Sequence, residues 1–245
     1  SEFEEIPTVE AMNLMKFDVS TFGNHEHDRD MAHIVKMINL STNKWVVSNY
    51  SSLTPLNSGA NKVTDYVIIE RGGVKLGVVG MNTPETVDVV LPSNLSGITI
   101  SPDTAYINKA IAKAKAAGAD LVVVLNHQGW AENKGGVASG TLNTSAAGIK
   151  GATVVFGGHS HLLYNTISAN TRWSAAQVVA QVPNSGVSYN QVSVCMNSSK
   201  VIGAHVNVVT AASISKLTPD ATAAALVKKY KDQVSAKLDV KIGQV

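Results

Sequence analysis

The order of patterns along the chain predicts an α/β protein: helical and strand signals alternate first, and a run of strands follows. Two observations carry this. Short apolar runs at 74–80, 121–125 and 154–156 alternate with helical patterns such as 30–40 and 101–117. After residue 165 the texture changes to alternating strands joined by turns. The expected result is a mixed sheet facing a second sheet, with helices outside. At 245 residues, 44% apolar and 16% charged, the chain suits one large α/β domain or two small ones, and it is too apolar for disorder.

Residues 8–16 read as a helix capped by Thr8, with Val9, Met12, Leu14 and Met15 on its apolar face. Residues 17–21 form a short strand. Residues 30–40 form a helix through Met31, Ile34, Val35 and Ile38, and 45–49 a short strand. Residues 51–62, with Pro55 and Gly59, are a loop. Two strands, 63–71 and 74–80, meet at the hairpin signal Gly72-Gly73. Residues 83–99 are loop-rich. Ser101 caps and Pro102 opens a helix to Ala117, closed by Gly118. The β-branched run 121–125 predicts a strand buried on both faces. Residues 131–145, rich in Gly, Ser and Asn, predict a mobile loop, and 146–149 a short helix or turn. Another buried strand is 154–156. Residues 178–181, 186–196 and 201–210 predict an antiparallel meander turning at Asn197-Ser198-Ser199. An amphipathic helix begins at Thr218-Pro219-Asp220 and runs to about 237, followed by the tail 239–245.

A net charge of +2 with no basic block offers no electrostatic footprint for a nucleic-acid polymer. The single cysteine, Cys195, excludes an internal disulfide and a cysteine-based zinc site; its apolar neighbours predict a buried strand thiol. No stretch reaches the roughly 20 apolar residues that cross a membrane. Low charge with abundant Ser, Thr, Asn, Ala and Val fits an exported protein, whether secreted, periplasmic or at the cell surface.

The chemistry concentrates in Gly23-Asn24-His25-Glu26-His27-Asp28, just past a predicted strand. Two further strands end in histidines: 121–125 leads into His127, and 154–156 into His159 and His161. Strand ends on one sheet edge converge in space however far apart they lie in sequence. Imidazole and amide-oxygen ligands suit zinc, manganese, nickel or iron. One such histidine is more often structural than a ligand. Four or five placed alike reverse that expectation. His33 and His205 fall inside a helix and a strand and read as structural or surface residues.

Gly-Asn-His-Glu at 23–26, Leu-Asn-His-Gln-Gly at 125–129 and Gly-Gly-His-Ser-His at 157–161 resemble motif blocks of the calcineurin-like metallophosphoesterases. The similarity is to the 5′-nucleotidase and 2′,3′-cyclic phosphodiesterase branch. There a helix like Ala11-Met12-Asn13 precedes the first of these blocks, and a strand end matches Asn49. The resemblance implies a four-layer α/β/β/α sandwich with two mixed sheets and two divalent metal ions, zinc, manganese or similar. It implies that Asn24, His127 and His159 hold the second metal and that His161 belongs to the first. His25 would stabilise the phosphoryl transition state or protonate the leaving group, with Asp28 orienting it. The implied function is metal-dependent hydrolysis of a phosphoester, with a nucleotide as substrate.

This sequence departs from the family at several positions. The Asp-x-His and Gly-Asp blocks, which supply two ligands of the first metal and the bridging carboxylate, are absent, and Asp18 does not replace them. His27 stands where the family has Phe, and Asn126 where it has Ser. The expectation is therefore an N-terminally truncated metallophosphoesterase-like domain at 4–215, which binds one ion or none and has impaired activity. Residues 216–245 would be a connector helix towards an absent C-terminal substrate-binding domain. Loss of the first strand would leave a neighbouring strand unpaired. The alternative is a non-catalytic binding domain that keeps the fold.

Overall fold

The computed structural model describes residues 3–132, 138–165, 176–198 and 200–238. Helix α1, Ile6–Leu14, starts ahead of Thr8: Pro7 sits in its first turn, and Glu5 enters it in the left-handed region (φ 63). Strand β1 is Val19–Thr21. Helix α2, Met31–Leu40, is capped by Asp30, whose Oδ1 accepts the His33 N–H at 2.9 Å. Strand β2 is Lys44–Val46.

The run expected as one strand at 63–71 is two, β3 (Val63–Thr64) and β4 (Tyr66–Arg71). β3 pairs in parallel with β2, whereas β4 pairs antiparallel with β5, Val74–Met81. The chain changes sheets at Asp65. Thr64 Oγ1 donates to the Tyr66 carbonyl at 2.8 Å, and Lys113 pairs with the Asp65 carboxylate.

Helix α3 is Thr86–Val89. Helix α4, Thr104–Ala116, is capped by Asp103, which accepts the Ala105 N–H at 2.8 Å; Ser101 Oγ instead accepts the Asp103 N–H. Strand β6 is Leu121–Asn126. The described residues of the predicted mobile loop take up regular structure. Strands β7 (Ala131–Glu132) and β8 (Ala138–Ser139) form a small hairpin, and helix α5 spans Thr141–Gly148. Leu142, Ser145 and Ala146 of α5 are buried, and Asn126 Nδ2 donates to Ser145 Oγ at 2.8 Å. Residues 133–137 of that stretch lie outside the described residues.

Strand β9 is Val154–Phe156, β10 Tyr164–Asn165, β11 Val178–Gln181, β12 Ser188–Asn197 and β13 Lys200–Thr210. The expected meander does not form as one unit. β11 joins β9 in parallel, and only β12 and β13 form an antiparallel pair. Burial drives this, because all four residues of β11 are buried, whereas β12 alternates. Alternation also corrects Cys195. It is exposed, because Val192, Val194 and Met196 take the inward positions and the odd residue faces outward. Ser199 of the predicted turn and the tail 239–245 lie outside the described residues. Helix α6 is Ala211–Ile214. Helix α7, Ala221–Leu238, lies back against the N-terminal region through Lys229–Glu10 at 3.2 Å and the Phe3–Tyr230 ring pair at 5.1 Å.

The six-stranded sheet runs β10-β11-β9-β6-β5-β4, parallel except at its two edges. One face packs Val79, Val122, Val124 and Val155 under Ile107, Ile111 and Leu142 of α4 and α5. The three-stranded sheet β1-β2-β3 is covered by α2 through Phe22, Trp45, Ile34 and Ile38. The two sheets meet at Gly80, where a Cβ would lie 2.0 Å from the Val46 carbonyl oxygen. The layers run helix, sheet, sheet, helix, as expected.

The inner face of the large sheet is only partly covered. Hairpin β12–β13 packs Ala204 and Val206 onto Val123 and Val154. Beside it an apolar groove of 520 Å³ remains open, lined among others by Val19, Leu76, Val78, Phe156 and Val194. Among the described residues β1 pairs with β2 alone, and Val19 on β1 faces this groove.

Candidate active site

β1, β6 and β9 deliver their following residues to one place. After β1 the chain makes a 3₁₀ turn, Asn24–His27. Gly23 before it is extended (φ −116), so the turn itself does not require a glycine there. Close approach does: a Cβ on Gly23 would stand 2.6 Å from His127 Nε2. Asn24 is buried, and its Oδ1 lies 3.0 Å from His127 Nε2 and 3.2 Å from His159 Nδ1. The two imidazoles meet edge to face at 5.3 Å. Burial, then the charges of His159, His25 and His161, lower the His127 pKa to about 4. Its ring is therefore neutral near pH 7, the form that ligates a metal.

His25 Nδ1 and Asp28 Oδ2 are 2.9 Å apart on the exposed side of the turn. Glu26 turns inward, and its Oε2 accepts the Gly23 N–H at 2.6 Å. Burial pushes the Glu26 carboxyl up, against the pull of that N–H. His27 leaves the site altogether. It is fully buried against Phe22 and Tyr50, with Nε2 2.6 Å from the Tyr50 hydroxyl, and burial lowers its pKa to about 4. A neutral imidazole thus occupies the interior position where the resembling family has Phe.

The turn after β9 is strained. His159 and His161 both adopt left-handed backbone (φ 66 and 61), which costs a non-glycine residue roughly 1–2 kcal/mol. Gln181 at the end of β11 holds it in place. This fully buried amide donates from Nε2 to Ser160 Oγ and the Leu162 carbonyl, each at 2.8 Å, and its Oε1 accepts the Trp130 N–H at 3.0 Å. Ser160 Oγ in turn donates to the Trp130 carbonyl at 2.6 Å.

A second hub lies behind Asn24. Asn82 donates to the Tyr50 hydroxyl at 2.8 Å and to the Gly23 carbonyl at 3.3 Å, and exchanges two hydrogen bonds with Asn49. Three residues on, Glu85 Oε2 lies 2.9 Å from His159 Nε2. The sequence reading does not single out Asn82, Glu85 or Gln181. Residues 82–85 follow the end of β5 much as the histidine blocks follow theirs, and that shared placement is the available signal.

The structure thus brings Asn24, His127 and His159 together, with the His25–Asp28 pair beside them. His161 is exposed on the same turn, close enough for its charge to act on His127. Among the described residues no group of three or more His, Cys, Asp or Glu side chains is gathered as a metal holder. The trio is two imidazoles and one amide oxygen. Two ligands of a tetrahedral zinc stand roughly 3.3 Å apart, from bond lengths of about 2.0–2.1 Å. The separations of 3.0 and 3.2 Å from the Asn24 oxygen come near this, so the spacing of that oxygen from each imidazole suits a shared metal ion. Among the described residues no carboxylate bridges toward a second ion. Asp28 and Glu85 are each held by a histidine, and Glu26 by the Gly23 N–H.

A family profile described as calcineurin-like phosphoesterase matches residues 5–163. The cell wall protein Lmo0130 of Listeria monocytogenes serovar 1/2a is 25% identical over 272 residues, covering 98% of this chain and 34% of that protein. The trifunctional nucleotide phosphoesterase protein YfkN of Bacillus subtilis (strain 168) is 30% identical over 171 residues, covering 64% of this chain and 11% of that protein. The chain therefore spans at most about a third of the length of these two relatives. The crystal structure of the 5′-nucleotidase precursor from Thermus thermophilus superposes with a TM-score of 0.74 at 20% identity, over 96% of this chain and 46% of that one. With the profile spanning more than half of the residues and the layers in agreement, this chain belongs to the calcineurin-like metallophosphoesterases, on the branch related to the 5′-nucleotidases and YfkN.

Proposed function

We propose that this chain carries the second-metal and proton-donating half of a metal-dependent phosphoester hydrolase of 5′-nucleotidase type. One observation carries the reading: Asn24 Oδ1 stands within 3.2 Å of one nitrogen from each of two histidines, on the residue preceding His25. Asn24, His127 and His159 would hold one divalent ion, and His161 would reach toward a second. Such an ion, when bound, polarises phosphoryl oxygens and lowers the pKa of water. Asp28 accepts from His25 Nδ1–H, so Nε2 would carry a proton to give to the leaving oxygen only in the imidazolium form, which the Asp28 carboxylate favours. A nucleotide is the proposed substrate, in line with the name of YfkN as a nucleotide phosphoesterase, and an exported location is in line with the composition and with the cell-wall relative.

The two acidic blocks would come from a further strand. The open edge of β1 and the apolar groove beside it support this, since a strand there would pair with β1 and cover Leu76, Val78 and Phe156. The reading frame ahead of Glu4 tests it: Asp-x-His followed by Gly-Asp is expected. The groove and the missing blocks also favour the second reading, a non-catalytic domain that binds a partner there.

Calorimetric titration with Zn²⁺ or Mn²⁺, paired with phosphate release from 5′-AMP, separates the readings. The expected result for this chain is one weak site, abolished in His127→Ala, and turnover near background. Two tightly held ions with robust turnover would refute the half-site. No ion at all would leave the binding-domain reading.

A further inference from the structure

We propose that Glu85 is the positioning residue of His159, and that it dictates which ring nitrogen the site offers to a cation; this rests on the metal-site reading above. The carboxylate is an acceptor only, so at 2.9 Å the His159 Nε2 must donate to Glu85 Oε2. In the neutral ring Nδ1 then carries a bare lone pair. It faces Asn24 Oδ1, itself an acceptor, at 3.2 Å. Two acceptors held this close are mutually repulsive unless a cation lies between or beside them or Nδ1 takes up a second proton and donates to that oxygen. The surrounding fold keeps them there. His159 is locked in left-handed backbone on the turn that Ser160 and Gln181 clamp. Glu85 sits on a short turn whose Thr83 N–H donates to Asn82 Oδ1 at 2.7 Å. Asn82 also holds the Gly23 carbonyl, so one buried amide places both the Asn24 oxygen and the carboxylate behind His159.

Carboxylate partners of ligating imidazoles fix tautomer and ring orientation, and their loss typically lowers metal affinity about 10–100-fold. Glu85 is suited to a clean test, because its side chain is 49% exposed.

The experiment is nitrogen-15 NMR of the histidine-labelled, metal-free chain together with Zn²⁺ titration, on the parent, Glu85→Ala and Glu85→Gln. The parent should report His159 protonated on Nε2 alone. Glu85→Ala should show mixed tautomers and roughly 10–100-fold weaker Zn²⁺ binding, with an unchanged melting temperature. Glu85→Gln, whose amide oxygen still accepts, should recover the parent tautomer and most of the affinity. An unchanged tautomer in Glu85→Ala overturns the proposal. So does a lowered melting temperature that tracks the lost affinity, because the role would then be structural. If the parent chain binds no Zn²⁺, the metal-site reading fails, and the tautomer still decides the role of Glu85.

Discussion

The wall of the cleft that carries Asn24, His127 and His159 is held from behind by buried polar side chains, whereas the wall beside β1 is a bare apolar sheet face. On the first wall Gln181, Asn82, Asn49 and Tyr50 are all buried and each is hydrogen-bonded. Orientation there is fixed by bonds that have no solvent competitor. On the second wall Leu76 and Phe156 are only partly covered, and the ion pair among the groove's lining residues, Arg71–Asp18, is exposed. The contrast separates geometry from contact area. The site wall is over-determined, while the groove still has apolar surface left to bury.

Substitutions on the two walls should therefore differ in size. Gln181→Leu should have the largest effect, about 3–4 kcal/mol of stability in denaturant unfolding, since the Trp130 N–H and the Leu162 carbonyl lose their partner. A loss below about 1 kcal/mol would break the claim that this amide clamps the turn.

Acid titration comes next. The His27 pKa is lowered from 6.5 to about 4 by burial, so between those values the unfolded chain binds a proton that the folded chain refuses. Stability should fall as pH drops through that window, by up to about 3 kcal/mol from His27 at its acid end. His127, lowered to about 4 in the same way, adds to the slope. His27→Phe should flatten the limb measurably in melts taken from pH 7 to pH 4. An unchanged limb would show that His27 is not neutral inside.

The two faces of the large sheet give a smaller difference. Val124→Ala, under α4 and α5, should lose about 2 kcal/mol, because two methyls leave a sealed core. Leu76→Ala, on the groove, should lose about 1 kcal/mol despite removing more atoms, since its side chain is only partly buried. Equal losses would mean that the groove is closed in solution. Asp18→Asn should be the mildest, within about 0.5 kcal/mol, because both partners of its Arg71 pair are more than half exposed.

Much of the site is legible as strand ends. Asn24, His127 and His159 follow β1, β6 and β9 closely, and apolar runs stopping at polar residues mark such places. Asn82 and Glu85 escape the sequence, although they follow β5, because Thr-Pro-Glu carries no imidazole to draw attention. Gln181 is hidden for a different reason. A glutamine ending an apolar run looks like a solvent-facing terminus, and only the parallel pairing of β11 beside β9 buries it. Cys195 departs from expectation because neighbours in a strand point to opposite faces. The helix at 141–148 is not legible because Thr, Asn, Ser and Gly are weak helix formers, and the burial of Leu142 and Ala146 overrides that preference.

Local chemistry in the sequence is enough for the α/β class, the main strands and the three histidine blocks, because each depends on nearby residues or on short apolar runs, and the family resemblance adds the His25–Asp28 pair. Tertiary structure alone decides where the chain changes sheets at Asp65 and that β11 joins β9. It also places His27 in the core, leaves one side of β1 open among the described residues, and gives His159 a carboxylate partner 74 positions away. Those outcomes depend on long-range pairing and burial, where the energies of distant residues first meet, and no local window of sequence contains them.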